Sequence, residues 1–129
     1  MAMTLDHLIL PVNDRESSIR FYTEVLGFED AGEREPFSVI RVSPDLLVQL
    51  APWGTPGNFH LAFSMTPEEL DAAFDRIRDA GIAYGDAFDA ADNMKGPGTA
   101  EGAHGTTRSL YCLDSNRHLI ELVCYPGAG

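Results

Sequence analysis

The chain repeats itself, and the repeat restricts its fold more than any single segment does. Asp6-His7-Leu8 is matched by Phe59-His60-Leu61, 53 positions on, and Leu47-Val48-Gln49-Leu50 by Leu119-Ile120-Glu121-Leu122, 72 positions on. Each half reads strand, helix and three further strands, so the 129 residues divide into two copies of a βαβββ unit. The offsets differ by 19 residues, which places an insertion in the second copy. Asp86 to Thr106, low in apolar residues and rich in Gly, Ala and Asp, is the place for it. A connection of that length reads as a lid, a binding loop or a disordered segment.

Taken in order, residues 5–12 read as a strand carrying His7, and a helix runs from Asp14 to Leu26. Asn13 or Asp14 caps it, Ile19, Tyr22, Val25 and Leu26 form its apolar face, and Gly27 stops it. Phe28 opens a short strand, Glu29 to Glu35 is a charged turn, and Phe37–Val42 and Leu46–Ala51 are strands. Pro52 to Asn58 is rich in Pro and Gly. The expectation is one α+β domain, with module one at 1–53, a linker at 54–58 and module two at 59–126. In the second copy Phe59–Met65 is the strand, and Thr66-Pro67-Glu68-Glu69 opens a helix with a cap, a proline at its first position and a glutamate reaching back. Leu70, Ala73, Phe74 and Ile77 make its stripe, and Gly81 ends it. A hairpin from about Arg108 to Tyr125, turning at Asp114-Ser115-Asn116, closes the chain.

A formal net charge of −11 and a pI near 4.5 argue against nucleic acid or an anionic membrane as partner. No apolar run reaches the length of a membrane span, and the start lacks the pattern of a signal peptide, so the expected location is the cytoplasm. Cys112 and Cys124 fall on the two strands of the last hairpin, opposite residue 119 or 120 and residue 107 or 108 respectively. They are too far apart along the ladder to bridge, and no CxxC spacing suggests zinc.

Glu121 stands in the middle of an otherwise apolar strand, and a carboxylate there must be paired, hydrogen-bonded or bound to a metal. Arg108 or Arg117 is a partner it can take. The repeat gives a second answer, because it sets His7 and His60 at one equivalent position and Gln49 and Glu121 at another. Two histidines and one carboxylate are the facial ligand set of a divalent transition metal that keeps open positions, and iron, manganese, cobalt, nickel and zinc all suit it. Gln49 either adds a neutral oxygen ligand or hydrogen-bonds a bound water. His118 lies at the turn as a solvated or hairpin-pairing residue, and His104 lies in the inserted loop.

These residues resemble the vicinal oxygen chelate superfamily, which includes glyoxalase I, fosfomycin-resistance enzymes, extradiol dioxygenases and bleomycin-resistance proteins. The stretches that carry the resemblance are DHLILPV (6–12), SIRFYTEVLGF (18–28), FHLAF (59–63) and SLYCLDSNRHLIELVCY (109–125). It implies two βαβββ modules forming a curled mixed sheet around a metal cleft, commonly in a homodimer. It assigns His7, His60 and Glu121 as metal ligands and Gln49 to the place of a further ligand, which is a second glutamate in bacterial glyoxalase I. Tyr111 matches a substrate-contacting tyrosine of the fosfomycin enzymes and Ser109 a neighbouring polar contact. Ile9 replaces their threonine, and their C-terminal arginine has no match.

What the resemblance implies is a metal-dependent lyase or isomerase of the glyoxalase type. Its small oxygenated substrate chelates the ion through two vicinal oxygens. Glu121 serves as ligand and proton carrier, Tyr111 orients the substrate, and Gln49, Ser109 and Arg108 line its site. The alternatives are a drug-binding or resistance protein that uses the same cleft, and an iron(II) ring-cleaving dioxygenase.

Overall fold

The structure, a computed structural model, describes residues 3–126. The chain falls into two compact units, Met1–Pro56 and Gly57–Gly129.

The first unit holds strand β1 (His7–Pro11), helix α1 (Arg15–Arg20), and strands β2 (Glu29–Arg34), β3 (Phe37–Ser43) and β4 (Leu46–Ala51). Its sheet runs β1-β4-β3-β2, with β1 parallel to β4 and the other pairs antiparallel. Asp14 caps α1 by accepting the Ser17 N–H at 3.0 Å. Hydrogen bonds from the Ser17 side chain first, and then from its backbone N–H, hold the Asp14 carboxyl below its usual range. The helix expected as far as Leu26 is α-helical only to Arg20. Phe21–Val25 is a π-helical turn, and the wider turn buries Phe21 as well as Tyr22 and Leu26.

The expected charged turn at Glu29–Glu35 is in fact mostly β2, exposed along its whole length. Neither of its faces meets a core, so no apolar alternation marks it as a strand. Its register shifts between Asp30 and Glu33. Arg15 ties it down, donating to Glu33 at 2.9 Å and Glu35 at 3.1 Å.

The second unit holds β5 (His60–Ser64), α2 (Pro67–Asp79), β6 (Tyr84–Gly85), β7 (Gly98–Gly102), β8 (Gly105–Leu113) and β9 (Leu119–Cys124). Its sheet runs β5-β9-β8-β6, with β7 also pairing β8. β5 lies parallel to β9, and the remaining pairs are antiparallel. The capping box of α2 is complete: Thr66 Oγ1 accepts the Glu69 N–H at 3.1 Å, and Glu69 Oε1 accepts the Thr66 N–H at 2.9 Å. Leu70, Ala73 and Ile77 are wholly buried, and α2 packs on β9.

The two registers correspond. His7 lies beside Leu47, and Ile9 and Val39 flank Gln49. His60 lies beside Leu119, and Ala62 and Tyr111 flank Glu121. The insertion follows β6 and precedes β8, inside the stretch expected for it. It is not a loop throughout, because β7 forms a hairpin with β8 from Gly98↔Ser109 to Gly102↔Gly105. Its Gly-rich sequence hid the strand. Cys112 lies opposite Ile120 and Cys124 opposite Arg108, and both thiols are free, as expected; both are buried.

The turn between β8 and β9 is polar, and three of its residues, Asp114, Asn116 and His118, are buried. Asp114 Oδ1 accepts the N–H groups of Asn116 at 2.8 Å and His118 at 2.9 Å. Of the two expectations for His118, solvated or paired across the hairpin, the second holds: it is 0% exposed, and its carbonyl accepts the Asp114 N–H at 3.0 Å. Its Nδ1 accepts the Phe59 N–H at 3.3 Å, and its ring meets the Phe59 ring edge to face. The chain enters this unit against the same turn. A Cβ on Gly57, which has φ +96, would lie 2.7 Å from the carbonyl oxygens of Asn116 and Arg117. Only glycine fits there.

Truncating Ile77 to Ala should cost about 2–5 kcal/mol of stability, and Thr66→Ala about 1 kcal/mol, both read from urea unfolding midpoints at unchanged slope.

Candidate functional site

Alternation along β9 sends Ile120, Leu122 and Cys124 towards the α2 side and puts Glu121 on the opposite face with Leu119 and Val123. Glu121 is 8% exposed, so its charge needs partners. The two neighbouring strands supply them. On β5, His60 Nε2 lies 3.0 Å from Glu121 Oε1. On β8, Ser109 Oγ donates to Glu121 Oε2 at 3.0 Å, and Tyr111 stands directly opposite. Ala62, the β5 residue beside Glu121, is small and exposed, which leaves room in front of the carboxylate.

In the first unit Gln49 occupies the equivalent place on β4, between Ile9 and Val39. His7 is exposed, and its Nδ1 lies 2.8 Å from Asp6 Oδ2. A histidine that gives its Nδ1 proton to a carboxylate presents Nε2 as a lone-pair donor, the arrangement common to metal-ligating imidazoles.

The second unit therefore brings His60, Glu121, Ser109 and Tyr111 together, and the first brings His7 and Gln49 onto adjacent strands. Arg108 stands apart from Glu121. It alternates to the other face of β8, where its guanidinium donates to Asp71 on α2 at 3.1 Å. The pairing of Arg108 with Glu121 that the sequence allowed is therefore not formed. The Ser109 hydroxyl is spent on Glu121. His104 sits at the tip of the β7–β8 hairpin with its ring against Tyr125. Two residues that sequence reasoning passed over belong here: Asp6, beside His7, and Thr107, whose Oγ1 is 2.6 Å from Ser109 Oγ. The signal for Thr107 was alternation, since Thr107, Ser109 and Tyr111 share one face of β8.

Residues 4–122 match the model of the Glyoxalase/Bleomycin resistance protein/Dioxygenase superfamily. The chain belongs to that superfamily. It is 29% identical over 130 residues to the virulence protein STM3117 of Salmonella typhimurium strain LT2, covering 94% of this chain and 83% of that protein. The crystal structure of STM3117 superposes with a TM-score of 0.74 at 28% identity, over 97% of this chain and 98% of that one. Oxidase ChaP-H1 superposes with a TM-score of 0.81 at 27% identity, over 99% and 100%. An antibiotic-binding protein, TnmS3 from Streptomyces sp. CB03234, shares the fold with a TM-score of 0.70 at 21% identity, over 96% and 98%. The glyoxalase-like α+β fold, with two βαβββ-like mixed sheets, is thereby established. The superfamily contains both enzymes and non-enzymatic binders, and metal dependence is common in it.

The donor chemistry of the second unit suits a divalent ion. Two ligands each about 2.1 Å from an ion and at right angles to one another stand roughly 3 Å apart. The separation of His60 Nε2 and Glu121 Oε1 is 3.0 Å. Ser109 holds the outer carboxylate oxygen as a supporting group does. Among the described residues, no three His, Cys, Asp or Glu side chains lie close enough to form a full ligand set.

Burial first, then the charge of Glu121 and a hydrogen bond to it, raise the Tyr111 phenol above its ordinary value, with Ser109 opposing. Burial, helped by Asp114, pushes the Cys112 thiol up to about 12. Because folded Tyr111 holds its proton more tightly than the unfolded chain does, its contribution to stability is complete below about pH 10 and is lost as pH climbs through the raised value. An alkaline titration of tyrosine absorbance should show a late component above about pH 10 that Tyr111→Phe removes. Cys112 should stay unreactive towards a disulfide reagent at about pH 8 until the protein unfolds.

Proposed function

We propose that this protein is a metal-dependent enzyme whose small oxygenated substrate binds a divalent ion through two vicinal oxygens, and that its reaction is oxidative, with dioxygen as oxidant. His60 and Glu121 would hold the ion, with His7, the repeat equivalent of His60, as the third ligand. The bound ion would act as a Lewis acid and redox centre, and two histidines with one carboxylate favour iron(II). A homodimer, the assembly implied by the resemblance, is part of the same proposal.

The observation that carries this reading is the hold on Glu121. Oε2 accepts from Ser109 and Oε1 faces His60, and a carboxylate held on both oxygens supports a ligand that stays in place. A glyoxalase-type isomerisation asks the glutamate to leave the metal and carry a proton between carbons, and breaking the Ser109 bond opposes that movement. The other place where glyoxalase I supplies a carboxylate is Gln49, an amide that takes no proton at neutral pH. The likeness to Oxidase ChaP-H1 supports the same direction.

The remaining side chains have definite tasks. Tyr111, protonated, can donate to an anionic substrate oxygen beside Glu121. Gln49 presents an amide to a substrate oxygen or a bound water. The lyase or isomerase reading keeps one observation in its favour: a phenol O–H directed at Glu121 is also suited to proton transfer.

Metal analysis of untagged protein reconstituted with iron(II) should give about one ion per chain, lost in His60→Ala and in Glu121→Gln. Oxygen uptake with a panel of catechols and 2-hydroxy ketones should then rise above that of the variants. Bound metal with isomerised product and no oxygen uptake would transfer the assignment to the lyase or isomerase class. No metal after reconstitution would leave a binding protein.

A further inference from the structure

The hydrogen bonds on Glu121 do not end at Ser109. Ser109 Oγ is 2.6 Å from Thr107 Oγ1, and Thr107 Oγ1 lies 3.2 Å from the carbonyl oxygen of Ala100, on the inserted strand β7. We propose that Thr107 is a positioning residue for Glu121, acting through Ser109, and that β7 holds Thr107 in the orientation this requires. The proposal rests on the reading of Glu121 as a ligand.

Counting hydrogens fixes the direction of the chain. A carboxylate only accepts, so the single hydroxyl hydrogen of Ser109 goes to Glu121 Oε2. The short contact between the two hydroxyls then needs a hydrogen from Thr107. Without that donation Ser109 is free to turn its hydrogen elsewhere and release Oε2. The Ala100 carbonyl competes for the same Thr107 hydrogen at 3.2 Å, and the shorter contact, to Ser109, takes it.

Shape keeps Thr107 in place. A β-branched side chain couples the position of its hydroxyl to that of its methyl. The Thr107 methyl lies over Gly102 of β7, where an added Cβ would come within 2.7 Å of it and 2.5 Å of Tyr125 Oη. Glycine at 102 is what allows the close approach. Thr107 is itself 1% exposed, so no water competes readily for its hydroxyl.

The first unit provides an internal comparison. Seventy-two positions before Thr107, Ser109 and Tyr111 stand Glu35, Phe37 and Val39, and Gln49 stands at the same distance before Glu121. The copy without a carboxylate has neither the pair of hydroxyls nor the inserted strand. Charge, hydroxyl file and insertion occur together.

The test uses Thr107→Val, which keeps the shape and removes the hydroxyl, Thr107→Ser, which keeps the hydroxyl, and Gly102→Ala. Two quantities are read: manganese(II) affinity by calorimetry, and the Glu121 carboxyl carbon resonance in metal-free protein. Thr107→Val should weaken manganese binding by about tenfold or more and shift the resonance. Thr107→Ser should return both towards wild type, and Gly102→Ala should shift the resonance with every hydroxyl still present. Wild-type values in Thr107→Val, or equal defects in the Val and Ser variants, would overturn the role of Thr107. An unmoved resonance in Gly102→Ala would overturn the role of β7. If wild-type protein takes up no manganese, the ligand reading of Glu121 fails, and the carboxyl resonance alone decides whether Thr107 positions it.

Discussion

A carboxylate inside a β-sheet is the constraint to which the second unit answers. Desolvating it costs several kcal/mol unless its oxygens are engaged, and partners on both neighbouring strands engage them here. The parallel strand β5 gives an imidazole and the antiparallel strand β8 gives a hydroxyl. These neighbours follow from register, since a one-residue slip of either strand would turn His60 or Ser109 to the opposite face. The core beneath α2 therefore does more than stabilise the unit. By fixing the register through Leu110, Ile120 and Leu122, it sets the geometry of the carboxylate.

The two copies of the βαβββ unit have diverged in an ordered way. Both keep a histidine on the first strand and a polar residue on the last, in matching ladders. Only the second copy makes that polar residue ionisable, and only there does the adjacent strand carry Thr107, Ser109 and Tyr111 in place of Glu35, Phe37 and Val39. The first unit instead gives its histidine a carboxylate neighbour, Asp6. One copy is built around an anion and the other around an oriented imidazole.

Much of this was legible in the sequence because it depends on spacing. The repeat offsets located β1, β4, β5 and β9, and the Thr66-Pro67-Glu68-Glu69 sequence located α2. The elements that escaped were those without a hydrophobic period. β2 is exposed on both faces, and β7 is made largely of glycine and small residues. At the site, Glu121 and His60 stood out as polar residues in apolar strands. Thr107 did not, because a threonine in a strand is ordinary until its partner is known. The burial of His118 was hidden for the opposite reason: a turn is normally wet, and here Asp114 and Phe59 pack against the histidine.

The contact of Gly57 with the β8–β9 turn bears on how this chain can be divided. The linker ends in a backbone-to-backbone fit, with Asn58 N–H donating to the Arg117 carbonyl at 3.2 Å and Leu119 N–H to the Phe59 carbonyl at 2.8 Å. A fragment holding the second unit alone and starting at the first residue of β5 would leave those groups unpaired and uncover His118. Gene fusions, permutations and duplications of this unit must therefore cut before Gly57. The boundary between the repeats is set by this seam rather than by the ends of the strands.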